Sequence, residues 1–141
     1  MKSMVLDGSM TLGFLLEDER FFGALKVLAV IEAGTPTYVP VLWWLETANG
    51  LLMSERRRRS TQAGVARALQ AYQDLPVITD DRPVPLAAGD LLALARQYQL
   101  TVYDAAYLEL ALRRGSSLAT ADLKLAKAAD AAGVSVLGAS E

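Results

Sequence analysis

The chain has 141 residues, 52% of them hydrophobic, a formal charge of −2, and neither cysteine nor histidine. That length predicts one domain over residues 1–141 with a sizeable core. The composition excludes a disulfide framework or thiolate metal site, a Ser-His-Asp triad and histidine-ligated zinc, and it offers nucleic acid no global attraction.

Residues 3–7 read as a first strand that runs into Asp7. A short helix follows over Ser9 to Leu16, and a second over Arg20 to Ala33, whose stripe is Phe22, Leu25, Leu28, Ala29 and Glu32. Gly34 is a natural stop. Thr37 to Val39 reads as a strand, and Pro40 suits the first turn of a helix reaching about Met53. The basic run Arg56-Arg57-Arg58-Arg59 fits a helix start or a loop, since four consecutive helical residues point all round the axis. A helix over Ser60 to Asp74 has the stripe Val65, Ala66, Leu69 and Tyr72. Pro76 to Thr79 is a third strand and Asp80 to Pro85 a turn cluster. Helices over Pro85 to Tyr98 and Tyr103 to Arg114, a strand over Leu118 to Thr120, a helix over Leu123 to Ala132 and a strand over Val134 to Leu137 complete the chain. Strands alternating with helices predict a mostly parallel α/β sheet covered on both faces. No apolar run approaches the ~20 residues of a membrane span, and the N-terminus does not read as a signal peptide. The expectation is a cytoplasmic protein without a membrane partner.

Four acids stand out. Asp7 and Asp122 both follow short apolar runs and precede helices. Ligands of parallel sheets gather at the carboxyl ends of strands, so two carboxylates delivered there suggest a divalent metal site. Either acid also makes a helix N-cap. Gly8 removes bulk beside Asp7, and Ser9 offers a hydroxyl. Glu46 shares a helix face with Leu42, Asn49 and Met53, at what reads as the edge of the greasiest stripe. A carboxylate there needs a partner; a cation supplies one, and Asn49 can orient the carboxylate. The alternative puts Glu46 on a solvent face with Thr47 and Gly50. Asp104 lies three residues after Thr101, which resembles a capping box, and an acid in a first turn suits the helix dipole.

In order, Val5-Leu6-Asp7-Gly8-Ser9, Leu45-Glu46-Thr47-Ala48-Asn49, Val102-Tyr103-Asp104-Ala105-Ala106-Tyr107-Leu108 and Thr120-Ala121-Asp122 resemble the motifs of the PIN-domain family, in particular the VapC-type ribonuclease toxins of toxin–antitoxin pairs. The resemblance implies a single PIN-like domain with a five-stranded sheet of order 3-2-1-4-5. It implies Asp7, Glu46, Asp104 and Asp122 as an acidic quartet, Ser9 and Thr120 as polar support, and Mg²⁺ or Mn²⁺ as cofactor. It further implies endoribonuclease activity, a homodimer and a cognate antitoxin.

Asp7 and Asp104 are then the first inner ligands to consider, with Asp122 and Glu46 direct or acting through water, and Glu46 or Asp122 as proton acceptor. Crowded carboxylates also predict at least one raised pKa. Arg56, Arg57, Arg58 and Arg59 read as a solvated segment at a helix end, an RNA contact or a dock for an acidic partner, and Arg113 and Arg114 pose the same choice. Trp43, Trp44, Tyr103 and Tyr107 read as packing or interface. Three rival readings remain. A phosphatase of the haloacid dehalogenase type wants a second aspartate where Ser9 stands. A receiver domain would use Asp80-Asp81 after strand three and leaves Glu46 unexplained. In a catalytically silent binding protein the acids merely cap helices.

Overall fold

The computed structural model describes residues 1–138. Five strands, β1 (Met4–Leu6), β2 (Thr37–Val39), β3 (Ile78–Thr79), β4 (Ser117–Ala119) and β5 (Val136–Leu137), form one sheet of order β3-β2-β1-β4-β5. All four pairings are parallel. Seven helices cover its two faces: α1 (Gly8–Leu15), α2 (Phe22–Glu32), α3 (Val41–Arg56), α4 (Gln62–Asp74), α5 (Val84–Tyr98), α6 (Val102–Arg114) and α7 (Leu123–Ala131). A short 3-10 turn at Glu17–Glu19 separates α1 from α2.

The central strand β1 is wholly buried, as parallel strands covered on both faces must be. Its register, Leu6 against Ala119, brings the residues after β1 and β4 side by side. The order reverses between these strands, so this sheet end is where a ligand crevice is expected. The receiver reading fails here, because β3 is an edge strand remote from that reversal.

The helices bury different faces from those their apolar residues suggested. On α2 the buried set is Ala24, Val27 and Ile31, while Phe22 is 71% exposed. On α4 it is Ala68 and Tyr72, with Leu69 exposed. On α3 the core face is Trp43, Thr47, Leu51 and Ser54. Leu45 and Leu52 are exposed, so Glu46 stands beside the core face rather than on a greasy stripe, and Thr47 is not at the surface. Trp43 stacks on Tyr72 at 5.3 Å and meets Trp44 edge-on at 4.7 Å. Its Nε1 donates to Thr11 Oγ1 at 2.8 Å, and Thr11 Oγ1 donates to the Asp7 carbonyl at 2.7 Å. The two tryptophans are packing residues, and Trp43 helps hold Asp7.

Pro40 is the cap before α3 rather than part of its first turn, and α3 extends to Arg56. The arginine run is therefore the C-terminal end of a helix, with Arg57 as its C-cap and Arg58 in the left-handed region at φ 57°.

Candidate active site at the carboxyl end of β1 and β4

Asp7 follows β1 directly and caps α1. Its backbone N–H donates to the Ala119 carbonyl at 3.1 Å, stitching it to β4. Oδ1 accepts from the Met10 N–H at 2.9 Å and from Ser9 Oγ at 2.8 Å. Oδ2 accepts from Thr120 Oγ1 at 2.5 Å and lies 2.9 Å from Ser9 Oγ. The two hydroxyls are themselves aimed by the chain after β4: Ala121 N–H donates to Ser9 Oγ at 3.0 Å, and Asp122 N–H to Thr120 Oγ1 at 3.0 Å. Two amides thus orient two hydroxyls, which orient one carboxylate.

Asp122 caps α7, its Oδ1 accepting from the amides of Lys124 at 2.9 Å and Leu125 at 3.3 Å. Asp104 sits in the first turn of α6, where its N–H donates to Thr101 Oγ1 at 3.1 Å. The capping explanations for all three aspartates therefore describe real contacts. Glu46 comes from the middle of α3, and its Oε1 accepts from the Tyr107 hydroxyl at 2.5 Å. Gly8 lies beneath it: a Cβ there would sit 3.5 Å from the Glu46 Cβ, in ordinary contact. Beside it lies Thr47 Oγ1, buried and without a hydrogen-bond partner among the described residues.

The electrostatics link these side chains. Asp7 is 4% exposed, and burial pushes its carboxyl up to about 6, against the pull of Thr120, Met10 and Ser9; the Asp122 charge adds a smaller push. Asp104 is also raised, by burial first and then by Asp122. The Tyr107 hydroxyl is raised by burial, then by Glu46 and Asp7. Desolvation outweighs mutual repulsion, the reverse of what crowding alone suggests.

Tyr107 is the residue that sequence reasoning read as core or interface, without a task in the site. It is 1% exposed, yet its hydroxyl joins α6 to Glu46 on α3. The signal was its position three residues after Asp104, on the same helix face. Asn49 is exposed with no hydrogen bond among the described residues, and Tyr103 is exposed, which removes the core half of its core-or-interface reading. The arginine run lies at the far end of α3, roughly 15 Å or more beyond Glu46 at the helical rise. Arg113 and Arg114 are not free for phosphate. Arg113 grips Asp80 at 3.0 and 2.7 Å and Glu109 at 2.8 Å, and Arg114 lies 3.5 Å from Asp80 and over the Tyr38 ring. Asp80 is thereby held below its ordinary pKa, chiefly by Arg113.

Among the described residues no group of three or more acidic side chains forms a ready-made metal cage. The donor chemistry nevertheless suits a hard divalent cation. Every candidate donor is a carboxylate oxygen, and the partners of buried Asp7 are hydroxyls and an amide, with no cation among them. Mg²⁺ keeps several waters and commonly takes only one or two protein carboxylates.

A parallel α/β sheet of order 3-2-1-4-5, with a buried aspartate at the reversal and further acids around it, defines the class as a PIN-like domain. The PIN-domain family model matches residues 4–131, and the chain belongs to that family. Its fold is shared with PAE2754 of Pyrobaculum aerophilum (TM-score 0.70, 22% identity, 95% of this chain and 83% of that one). It is shared too with VapBC2 of Rickettsia felis, solved with a DNA fragment from its promoter (0.63, 12%, 94% and 96%), and with FitAcB of Neisseria gonorrhoeae (0.55, 18%, 94% and 95%). No curated protein sequence matches the chain. Among the described residues no helix is long and apolar enough to cross a membrane.

Proposed function

We propose that this protein is a metal-dependent endoribonuclease acting as the toxin of a type II toxin–antitoxin pair, in the cytoplasm, as a homodimer restrained by a cognate antitoxin. The observation that carries the reading is the buried Asp7 carboxylate at the β1–β4 reversal. A carboxyl raised to about 6 by burial costs stability, and an ordinary helix cap does not require it. Membership of the PIN family and the fold shared with VapBC2 and FitAcB support the same reading.

Asp7 and Asp104 would hold Mg²⁺ or Mn²⁺, with Asp122 and Glu46 binding directly or through water. When bound, the ion supplies a water of lowered pKa and offsets charge on the scissile phosphate. The chain's own part is orientation and proton transfer. Ser9, Thr120 and the Met10 amide fix the Asp7 oxygens. Tyr107 fixes Glu46, which with Asp122 is the candidate acceptor of the attacking water's proton. Hydrolysis then leaves a 3′-hydroxyl and a 5′-phosphate.

A catalytically silent binding protein is the second reading, favoured by the lack of a three-carboxylate cage among the described residues. A nuclease assay with Mn²⁺ on purified wild type and Asp7→Asn separates the two. The expected result is cleavage with 5′-phosphate ends by wild type and none by the variant. No cleavage by a well-folded wild type, or equal cleavage by both, overturns the nuclease reading.

A further inference from the structure

At the opposite end of the α1–α3 pair, the end of α1, the 3-10 turn and the start of α4 enclose a cleft of about 370 Å³. Phe14, Leu16 and Ala68, all buried, form its floor, and Arg20, Arg59 and Arg67 stand exposed in its walls. Among the described residues none of these three arginines has an ion pair or side-chain hydrogen bond, unlike Arg82, Arg113 and Arg114. Glu17 and Asp18 also line the cleft but pair with none of them.

The cleft is shaped by specific backbone features. Arg58 adopts the left-handed conformation, uncommon for a side chain of its size, and so turns Arg59 and Ser60 towards the cleft. Arg59 N–H donates to the Ser54 carbonyl at 2.9 Å, and the Ser54 and Ser60 hydroxyls meet at 2.6 Å, which holds that turn. Thr61 caps α4 through the Gly64 amide. The Arg67 guanidinium folds back over this cap, 3.8 Å from where a Cβ on Gly64 would stand, which is ordinary contact distance.

We infer that this cleft anchors a phosphodiester group of the RNA strand, away from the acidic site. The inference rests on the ribonuclease reading and names how its substrate is held. The acids near Asp7 repel RNA and the chain carries net negative charge, so attraction must come from a local cationic patch. The unpaired guanidinium forks of Arg20, Arg59 and Arg67 present donors from several directions, which matches a tetrahedral phosphate better than a planar carboxylate. The α1 helix separates cleft from Asp7 by about 12 Å at its rise per residue, so the anchor positions the strand and does not touch the reacting atoms.

The test measures fluorescence anisotropy of a short labelled single-stranded RNA across a potassium chloride series, in the Asp7→Asn background. Arg59→Ala/Arg67→Ala is compared with the control Arg96→Ala/Lys127→Ala, which removes equal charge elsewhere. The cleft variant is expected to bind roughly tenfold more weakly at low salt, with a log-log salt slope shallower by about 1.4. Loss no greater than the control's, with both variants folded by circular dichroism, overturns the anchor even if wild type cleaves RNA. Displacement of the RNA by oligo-glutamate of matched charge overturns the assignment to RNA and points to an acidic protein. If wild type binds through the cleft yet never cleaves with Mn²⁺, the anchor stands and the nuclease reading falls.

Discussion

Asp7 both caps a helix and carries a buried charge, and the two duties pull in opposite directions on stability. Its carboxyl titrates near 6 in the folded chain against an ordinary 3.8. Between those values the folded state binds more protons than the unfolded state, so stability falls as pH rises through that window. The full cost, on the order of 3 kcal/mol, is present above pH 6. Asp7→Asn in EDTA is therefore expected to be more stable than wild type at pH 7, by about 1–2 kcal/mol once the poorer hydrogen bonds of the amide are counted. The gap should close towards pH 4, as read by urea unfolding. A pH-independent gap would refute the burial argument. Tyr107→Phe deletes a hydroxyl that serves a carboxylate inside the protein. It is expected to cost about 1.5–3 kcal/mol and to lower the rate of RNA cleavage at saturating Mn²⁺ with little change in RNA affinity, measured by single-turnover kinetics. Retention of wild-type stability would show that the hydroxyl is replaceable by water.

At the scale of elements, what holds the loop after β3 is a chain of ion pairs. Asp80 meets Arg113, Arg113 meets Glu109, and Glu109 meets Arg82, which also reaches Asp90 on α5. Glu109 is 8% exposed, so removing its partner leaves a poorly solvated charge. Arg113→Ala is expected to destabilise the protein by about 2 kcal/mol while leaving metal-dependent chemistry intact; a change below the error of a urea titration would contradict it. The lowered carboxyl of Asp80 acts oppositely to Asp7: its contribution is present above its unfolded value and is lost as pH falls through the folded one. Strand positions and helix order were legible from apolar runs and turn residues; which helix face is buried was not. Phe22 and Leu69 read as core and are exposed, because burial depends on which neighbours press on each face. The arginine run was legible as a cluster, with a helix end among its readings; that it ends α3 follows because that helix continues a turn past its last apolar residue.

For the molecule as a whole, the proposed cation should act as a ligand of the native state alone. Millimolar Mn²⁺ is expected to raise the melting temperature of wild type, and to leave Asp7→Asn unmoved, by scanning fluorimetry. Equal shifts in both would place the ion elsewhere. Alternating strands and helices determined a mostly parallel sheet covered on both faces, and the ordered motifs carried the family resemblance, which in turn implied the strand order and the reversal between strands one and four. Only the folded structure decided which side chains serve those acids. Asp7 and Thr120 are separated by most of the chain, and Glu46 and Tyr107 belong to different helices, so these contacts exist once parallel pairing of β1 with β4 and packing of α3 near α6 bring them together. A local pattern records propensity and spacing. Desolvation, hydrogen-bond partners and the pairing of arginines depend on neighbours remote in sequence.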